Sequence, residues 1–319
     1  MDSIKTISGV ALRDHVDRLT AGGPRHQDNP AAVRATLEYL TDHLVGYGYR
    51  VERESYGDAP HQVNLLAMRD NPTTAPVLEV GAHWDSTNDG PGADDNASGV
   101  AGLLEIARVF AEEAPTALEP KRTEPRRAVR FCLYGEEEDE SVGYLGSRAH
   151  VARLDADGAG RTGAVVEGVI VLEMIAYRDT RSGSQRFPED IAAMMGEPGE
   201  FGRGDFIAVV GDPGASEYLA AIQAAARGQD SSLPVLPLSV PAGDFVNVGR
   251  SDHYPYWLSG RNGVMVTDTA EFRNPNYHRS TDTIDTLDFV FAESVTRTVA
   301  AAVGGLVSVV SCADRPAEG

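Results

Sequence analysis

Pro76 to Asp85 reads PVLEVGAHWD, an apolar run that ends abruptly in polar groups. That is the pattern of a buried strand leaving a sheet with chemistry-bearing side chains at its carboxyl end. Downstream the pattern alternates. Ser98 to Glu112 reads as a helix, Ala128 to Tyr134 (AVRFCLY) as a second buried strand, Tyr144 to Leu154 as a helix and Val165 to Met174 as a third strand. Upstream, Tyr49 to Ser55 and Gln62 to Met68 look like strands close enough to pair as a hairpin. Before them Asn29 caps a helix that Pro30 begins, with Val33, Leu37, Leu40 and Leu44 at helical spacing until Gly46 and Gly48. This order predicts an α/β fold, a three-layer α/β/α sandwich around a mixed, mainly parallel sheet. In such sheets ligands bind outside the carboxyl ends of the strands.

One domain is expected over residues 1–319. Two polar stretches, 114–127 and 178–204, read as surface loops, and residues 313–319 as a disordered tail. The second loop directly follows a candidate ligand and is placed either as a wall of the substrate pocket or as a plain connection.

The 319 residues are 42% hydrophobic and carry a formal charge of -20. A nucleic-acid backbone or an anionic membrane surface would repel such a chain, so neither is expected as a partner. Cys132 lies in an apolar strand far in sequence from Cys312, which argues against a disulfide framework. The opening residues MDSIKTISGVALRDHV show no basic segment followed by an apolar one, and the expectation is a cytoplasmic protein. Oligomeric state is left open.

Five clusters carry the chemistry. In HWDS, His83 and Asp85 stand two apart at a strand end, where both can face one side. One could bind a metal while the other steadies it, although alone such a pair is more often structural. PGADDNASG sets Asp94 beside Asp95 before a helix, an unfavourable juxtaposition without a cation; alone it reads as a solvent-facing turn with an N-cap. In GEEEDE, Glu136, Glu137 and Glu138 emerge from the strand RFCLY, where carboxylates are either costly or metal-bound. Glu173 is a lone acid ending VIVLEM, and Tyr277 and His278 sit in the loop NPNYHRSTDT. Histidine, aspartate and glutamate at separated strand ends, with almost no cysteine, describe a nitrogen and oxygen site of catalytic type. Zinc suits it best, and a pair of ions about 3.5–4 Å apart would hold and activate a bridging water.

The set resembles metallopeptidase family 28, which contains zinc aminopeptidases, glutamate carboxypeptidases and, on the same fold, glutaminyl cyclases. HWDS, ADDNASG, an acid pair before GYLGS, LEM, SDH and YHRSTDT follow the family order, from GPR near Gly23 to the DT pairs after His278. The resemblance implies two zinc ions per chain. His83 would bind one, Asp95 would bridge both with a cis peptide at Asp95–Asn96, and Asp85 would support His83. Glu173 would bind the second ion opposite Glu138, and His278 would complete the set. Two registers are open for the acid pair: Glu136 with Glu137, or Glu137 as general base with Glu138 as ligand. Counting six residues from Phe131 gives the second, although DESV is inserted before GYLGS. Tyr277 matches a tyrosine that donates to the oxyanion in some relatives, or it packs beside the ligand loop. Asp252 and His253 are assigned structural roles.

The activity this implies is removal of an N-terminal, apolar residue from a peptide substrate. The alternatives are a carboxypeptidase, for which Arg250, Arg261 or Arg273 would receive the terminal carboxylate, and a glutaminyl cyclase-like acyltransferase. A binding module on the same fold is a further reading.

Overall fold

The computed structural model describes residues 2–69, 75–113, 127–139, 141, 143–156, 165–228, 233–241, 243 and 246–308. Cys312, the tail at 313–319 and the expected loop at 114–127, apart from Arg127, lie outside the described residues.

In chain order the helices are α1 (Gly9–Thr20), α2 (Pro30–Gly46), α3 (Gly99–Glu113), α4 (Leu145–Ala156), α5 (Glu189–Met195), α6 (Ser216–Gly228), α7 (Tyr254–Leu258) and α8 (Phe289–Val307). The strands are β1 (Arg50–Ser55), β2 (Val63–Met68), β3 (Val77–His83), β4 (Ala128–Tyr134), β5 (Val166–Glu173), β6 (Ile207–Gly211), β7 (Val235–Ser239) and β8 (Asn262–Thr267). They form a single sheet in the order β1-β2-β4-β3-β5-β8-β6-β7. The expected hairpin exists: β1 pairs antiparallel with β2. β4, β3, β5 and β8 run parallel at the centre, and β6 returns antiparallel against β8.

β3 is buried along its whole length, as a strand covered on both faces must be. The principal core packs α1, α2, α3, α6 and α8 on one face of the sheet. Val151 and Leu154 of α4, with Tyr256 of α7, join a second cluster, and Ile191 of α5 and Trp257 of α7 a third. α8 is the long apolar helix it is because Val295, Val299 and Val303 lie inside that principal core.

Chain direction positions the site. From β3 the chain crosses through α3 to β4 on one side, then through α4 to β5 on the other. Loops leaving β3, β4 and β5 therefore diverge around one crevice at their carboxyl ends. Residues 178–204, read as one surface loop, contain α5 and a bridge between Asp179 and Gly204, and their Ile191 is buried beside Phe206.

The sheet also buries charge. Glu79, in the middle of β3, accepts from Arg130 Nε and the Tyr256 hydroxyl, and lies 3.1 Å from His150 Nε2. Burial alone would raise the Glu79 carboxyl, but Arg130 and then His150 outweigh it and hold it well below the ordinary range. The Tyr134 ring reaches this network across Gly81, where a Cβ would sit 2.7 Å from the ring. Glu79→Leu strands the buried Arg130 and should cost about 3–5 kcal/mol in urea unfolding, whereas Glu79→Leu with Arg130→Met should recover most of it. Because the folded carboxyl titrates below its unfolded value of about 4.3, this contribution is complete above that pH and is lost as pH falls through the depressed value. A single mutant as stable as the wild type at pH 7 would refute the account.

Candidate metal centre

Each candidate ligand stands where a parallel strand ends or where a turn is pinned to one. His83 closes β3 and is fully buried. Its Nδ1 lies 3.3 Å from Asp85 Oδ1. The same Asp85 carboxylate accepts from the backbone N–H of Glu137 (3.3 Å) and Glu138 (3.2 Å), so one side chain holds both the imidazole and the acid turn.

The three consecutive glutamates diverge because Glu136 adopts the left-handed region (φ 52°). Glu136 Oε1 turns away to His61 Nε2 at 3.1 Å. Glu138 Oε2 reaches His278 Nε2, also at 3.1 Å, and Glu137 lines the same pocket. Met174, Thr269, Ala270 and His278 also carry positive φ around the site, a clustering common where backbone serves function.

Asp95 is the centrepiece. Its Oδ1 lies 3.3 Å from His83 Nε2 and its Oδ2 3.3 Å from His278 Nε2. Two groups of potential ligands result, His83 with Asp95 and Glu173, and Asp95 with Glu138 and His278. Glu173 shares a group with His83, which lies 3.4 Å away. The peptide bond Asp95–Asn96 is cis.

The turn Ala93–Ser98 is entirely buried, which excludes the solvent-facing alternative. Its side chains stitch it to the end of β5: Asn96 Oδ1 accepts from Met174 N, Ser98 Oγ from Ile175 N and Asp94 Oδ1 from Ala176 N. Gly99 is required here, since a Cβ would fall 2.3 Å from Asn96 Oδ1 and 2.5 Å from the Leu172 carbonyl. Asp94 is thereby spent on structure.

Three supporting residues escaped the sequence reading. Asp282 accepts from the N–H groups of Asp94 and Asp95, fixing the backbone that carries Asp95. Arg25 is fully buried and donates to the carbonyls of Trp84, Asp85, Pro91 and Gly92, tying the His83 and Asp95 loops together. Ser251 donates to Glu173 Oε2 at 2.6 Å. Arg25 and Asp282 lay in motifs already noticed, GPR and the DT pairs, but nothing in spacing assigns a side chain to backbone groups on another loop. His253 is buried, held neutral by that burial with its pKa lowered to about 4, and donates Nε2–H to the Val248 carbonyl. Asp252 is buried beside the cluster; burial, opposed by His83, pushes its carboxyl up to about 7.

An apolar pocket opens beside the ligands. Phe187, Ile191, Val210, Leu236, Leu238 and Met265 form its walls, and Asp95, Glu137, Glu138 and Glu173 its polar end. Arg186, Phe187, Pro188 and Ile191, in the stretch read as a loop, are among its lining. Of the three arginines considered for a terminal carboxylate, Arg250 alone lines it. Arg261 pairs with Asp155 at the surface, and Arg273 is buried against Gln185 and the Phe206 ring.

The donor set fits zinc. Charge-assisted hydrogen bonds close to about 2.7–2.9 Å, whereas these imidazole-to-carboxylate distances are 3.1–3.4 Å. Two ligands each about 2.0–2.1 Å from a tetrahedral zinc stand roughly 3.3–3.4 Å apart. Glu138 Oε1 is buried with no hydrogen-bond partner, as an oxygen kept for a cation would be. The electrostatics agree. Burial and then Asp95 push Glu138 up to about 8, against His278. Burial likewise pushes Glu137 well up, with Glu138 and Glu173 adding to it and His83 opposing. Burial would lower His278, but Asp95 and Glu138 outweigh it and raise it to about 10. So many acids converging in a desolvated crevice call for added positive charge.

Comparison with known proteins agrees with this geometry. The uncharacterized protein YfbL of Escherichia coli is 33% identical over 280 residues, 83% of this chain and 78% of that one. The probable lipoprotein aminopeptidase LpqL of Mycobacterium tuberculosis is 29% identical over 70% of this chain, which spans 41% of that longer protein. The LapA aminopeptidase structure of Legionella pneumophila superposes with a TM-score of 0.71 at 20% identity, covering 97% of this chain and 74% of that one. The model of peptidase family M28 matches residues 64–303, a span that runs from β2 into α8 and includes every ligand candidate. With that match, and with its imidazoles and carboxylates gathered about Asp95, the chain belongs to peptidase family M28.

Proposed function

We propose that this peptidase is a two-zinc aminopeptidase releasing an apolar N-terminal residue, with Glu137 as general base. The observation that carries the reading is the sharing of Asp95 between two three-ligand groups beside an apolar pocket. His83, Asp95 and Glu173 would hold one ion, and Asp95, Glu138 and His278 the other. Bound there, the ions supply Lewis-acid polarisation of the scissile carbonyl and acidify an attacking water.

The chain's own residues do the rest. Glu137 shares the pocket's polar end with the candidate ligands and lies within a ligand group's span of His83 and Glu138, but it makes neither of the close imidazole contacts that Glu138 and Glu173 make. Its place within Glu136–Glu138 follows from where the neighbours go, Glu136 to His61 and Glu138 to His278. Its carboxylate is the group to take a proton from water and return it to the leaving amine. Burial and the neighbouring carboxylates raise its carboxyl, and bound positive charge would bring it back down toward the range of a working base. The substrate's protonated α-amine gains from the surplus carboxylates, while its side chain fills the wall formed by β6, β7, β8 and α5. A carboxypeptidase needs a cation for the terminal carboxylate. Two arginines line the pocket: Arg250 spends its guanidinium on Glu271 and Tyr277, and Arg186 donates to the Glu271 carbonyl, which favours the aminopeptidase.

Glu137→Gln should keep both zinc ions by elemental analysis and lose about 10²–10⁴-fold in kcat, while Glu136→Ala keeps most turnover. The opposite pattern would move the base by one residue. Chelation should abolish hydrolysis of leucine p-nitroanilide and lower Tm, and zinc should restore both at two equivalents per chain. Saturation at one equivalent would refute the paired centre. An N-blocked dipeptide should remain uncleaved; its hydrolysis in preference to the anilide would replace the aminopeptidase reading with a carboxypeptidase.

A further inference from the structure

Tyr277 and Arg250 come from separate segments and meet at the pocket. The Tyr277 ring stacks on the His278 imidazole, centroids 3.8 Å apart and planes 22° from parallel. That contact fixes the ring but leaves the hydroxyl proton free to rotate. Arg250 Nη2 donates to the Tyr277 hydroxyl oxygen at 3.0 Å, and its other arm, Nη1, donates to Glu271 Oε1. The guanidinium lies 5.9 Å from the centre of the Tyr277 ring. All three residues line the pocket that also holds Glu137 and Glu138.

We propose that Arg250 is a positioning residue that sets the direction in which Tyr277 donates its hydroxyl proton. A phenol has one proton to give and lone pairs to receive. A guanidinium has five donors and no acceptor, so it occupies a lone pair of the phenol and cannot take its proton. The O–H is thereby turned away from Arg250 and remains available to the pocket. There it meets the oxygen of a substrate carbonyl on its way to a tetrahedral intermediate, where a preoriented donor is worth most. Glu271 completes the device by holding the guanidinium from its far arm, so a two-armed cation is needed. Lysine, a point charge, cannot serve both partners in fixed geometry. The next residue, Ser251, performs the parallel task for Glu173. One short segment, 250–251, therefore orients groups in both halves of the centre.

The inference rests on the reading of this centre as a peptidase site in which Tyr277 faces the oxyanion, and the test separates the two. Tyr277→Phe, Arg250→Met, Arg250→Lys and the double mutant Tyr277→Phe/Arg250→Met are compared on leucine p-nitroanilide. Zinc content and Tm establish that each variant is folded and loaded. Tyr277→Phe should lose roughly 100-fold in kcat. Arg250→Met and Arg250→Lys should each lose about 10-fold, a partial loss of that donor, with KM within about twofold. The double mutant should be no slower than Tyr277→Phe alone, because Arg250 acts only through the phenol. In calorimetry an aminoalkylboronic acid, which mimics the tetrahedral state, should bind Arg250→Met about 10-fold more weakly, while free leucine binds unchanged. Multiplying losses in the double mutant, or a raised KM with kcat intact, would show that Arg250 touches the substrate itself and would overturn the proposal. Wild-type kcat in Tyr277→Phe would remove the donor and the proposal with it, while chelator sensitivity and zinc stoichiometry still judge the aminopeptidase reading independently. Should Arg250→Met fail to fold, Arg250→Lys and the boronate measurement carry the test.

Discussion

A carboxylate that shows one oxygen to each of two imidazoles has no freedom left, and the architecture of this protein follows from holding Asp95 that way. Rotation of a few tens of degrees about its side chain would give both oxygens to one histidine and dissolve the second ligand group. The fold answers with backbone, which is stiffer than any side chain. Asp282 grips the N–H of Asp95 and of its predecessor, Asn96 and Ser98 lock the turn to the end of β5, and Arg25 clamps the neighbouring carbonyls. All of these partners are buried, where unmade hydrogen bonds are expensive and made ones are correspondingly rigid. So many fixed partners leave the cluster rigid, the condition under which electrostatic catalysis is most effective.

Asp85 extends the same economy to the next loop. Its two oxygens face the His83 ring and the N–H groups of Glu137 and Glu138. One carboxylate therefore faces an imidazole and fixes the turn that carries Glu137, the proposed base. A change at Asp85 would disturb both at once, so its effect on catalysis would exceed that of a simple support for a ligand.

Much of this was legible in the sequence, and the limits of legibility have a physical shape. The strands β3, β4 and β5 declare themselves because central strands of a covered sheet must be apolar throughout, and the acids just beyond them stand out by contrast. β6, β7 and α5 gave no such signal. VLPLS carries a proline within a short apolar run, and the helix EDIAAMM is a two-turn segment set among glycines and prolines. β6 is placed by pairing with β8 and β7 by pairing with β6, long-range contacts that no local pattern encodes. The candidate ligands stood out because several lie where apolar strands give way to polar residues, and because their motifs follow the order of a known family. Arg25, Asp282 and Ser251 were not, since they act on backbone groups or on one oxygen of a ligand far away in sequence. The turn Ala93–Ser98 shows the converse hazard: polar composition pointed to solvent, whereas each polar atom had a buried partner waiting.

The sheet divides labour along its width. Candidate ligands issue from β3, β4 and β5 and from the loops that follow β8, whereas much of the apolar wall belongs to β6, β7 and α5, which supply none. Evolution can therefore reshape the chamber that admits a side chain without renegotiating the electrostatics of the crevice. Descendants of such a scaffold could inherit one reaction and diverge in diet, their appetites written at the sheet's edge while the engine beside it stays the same.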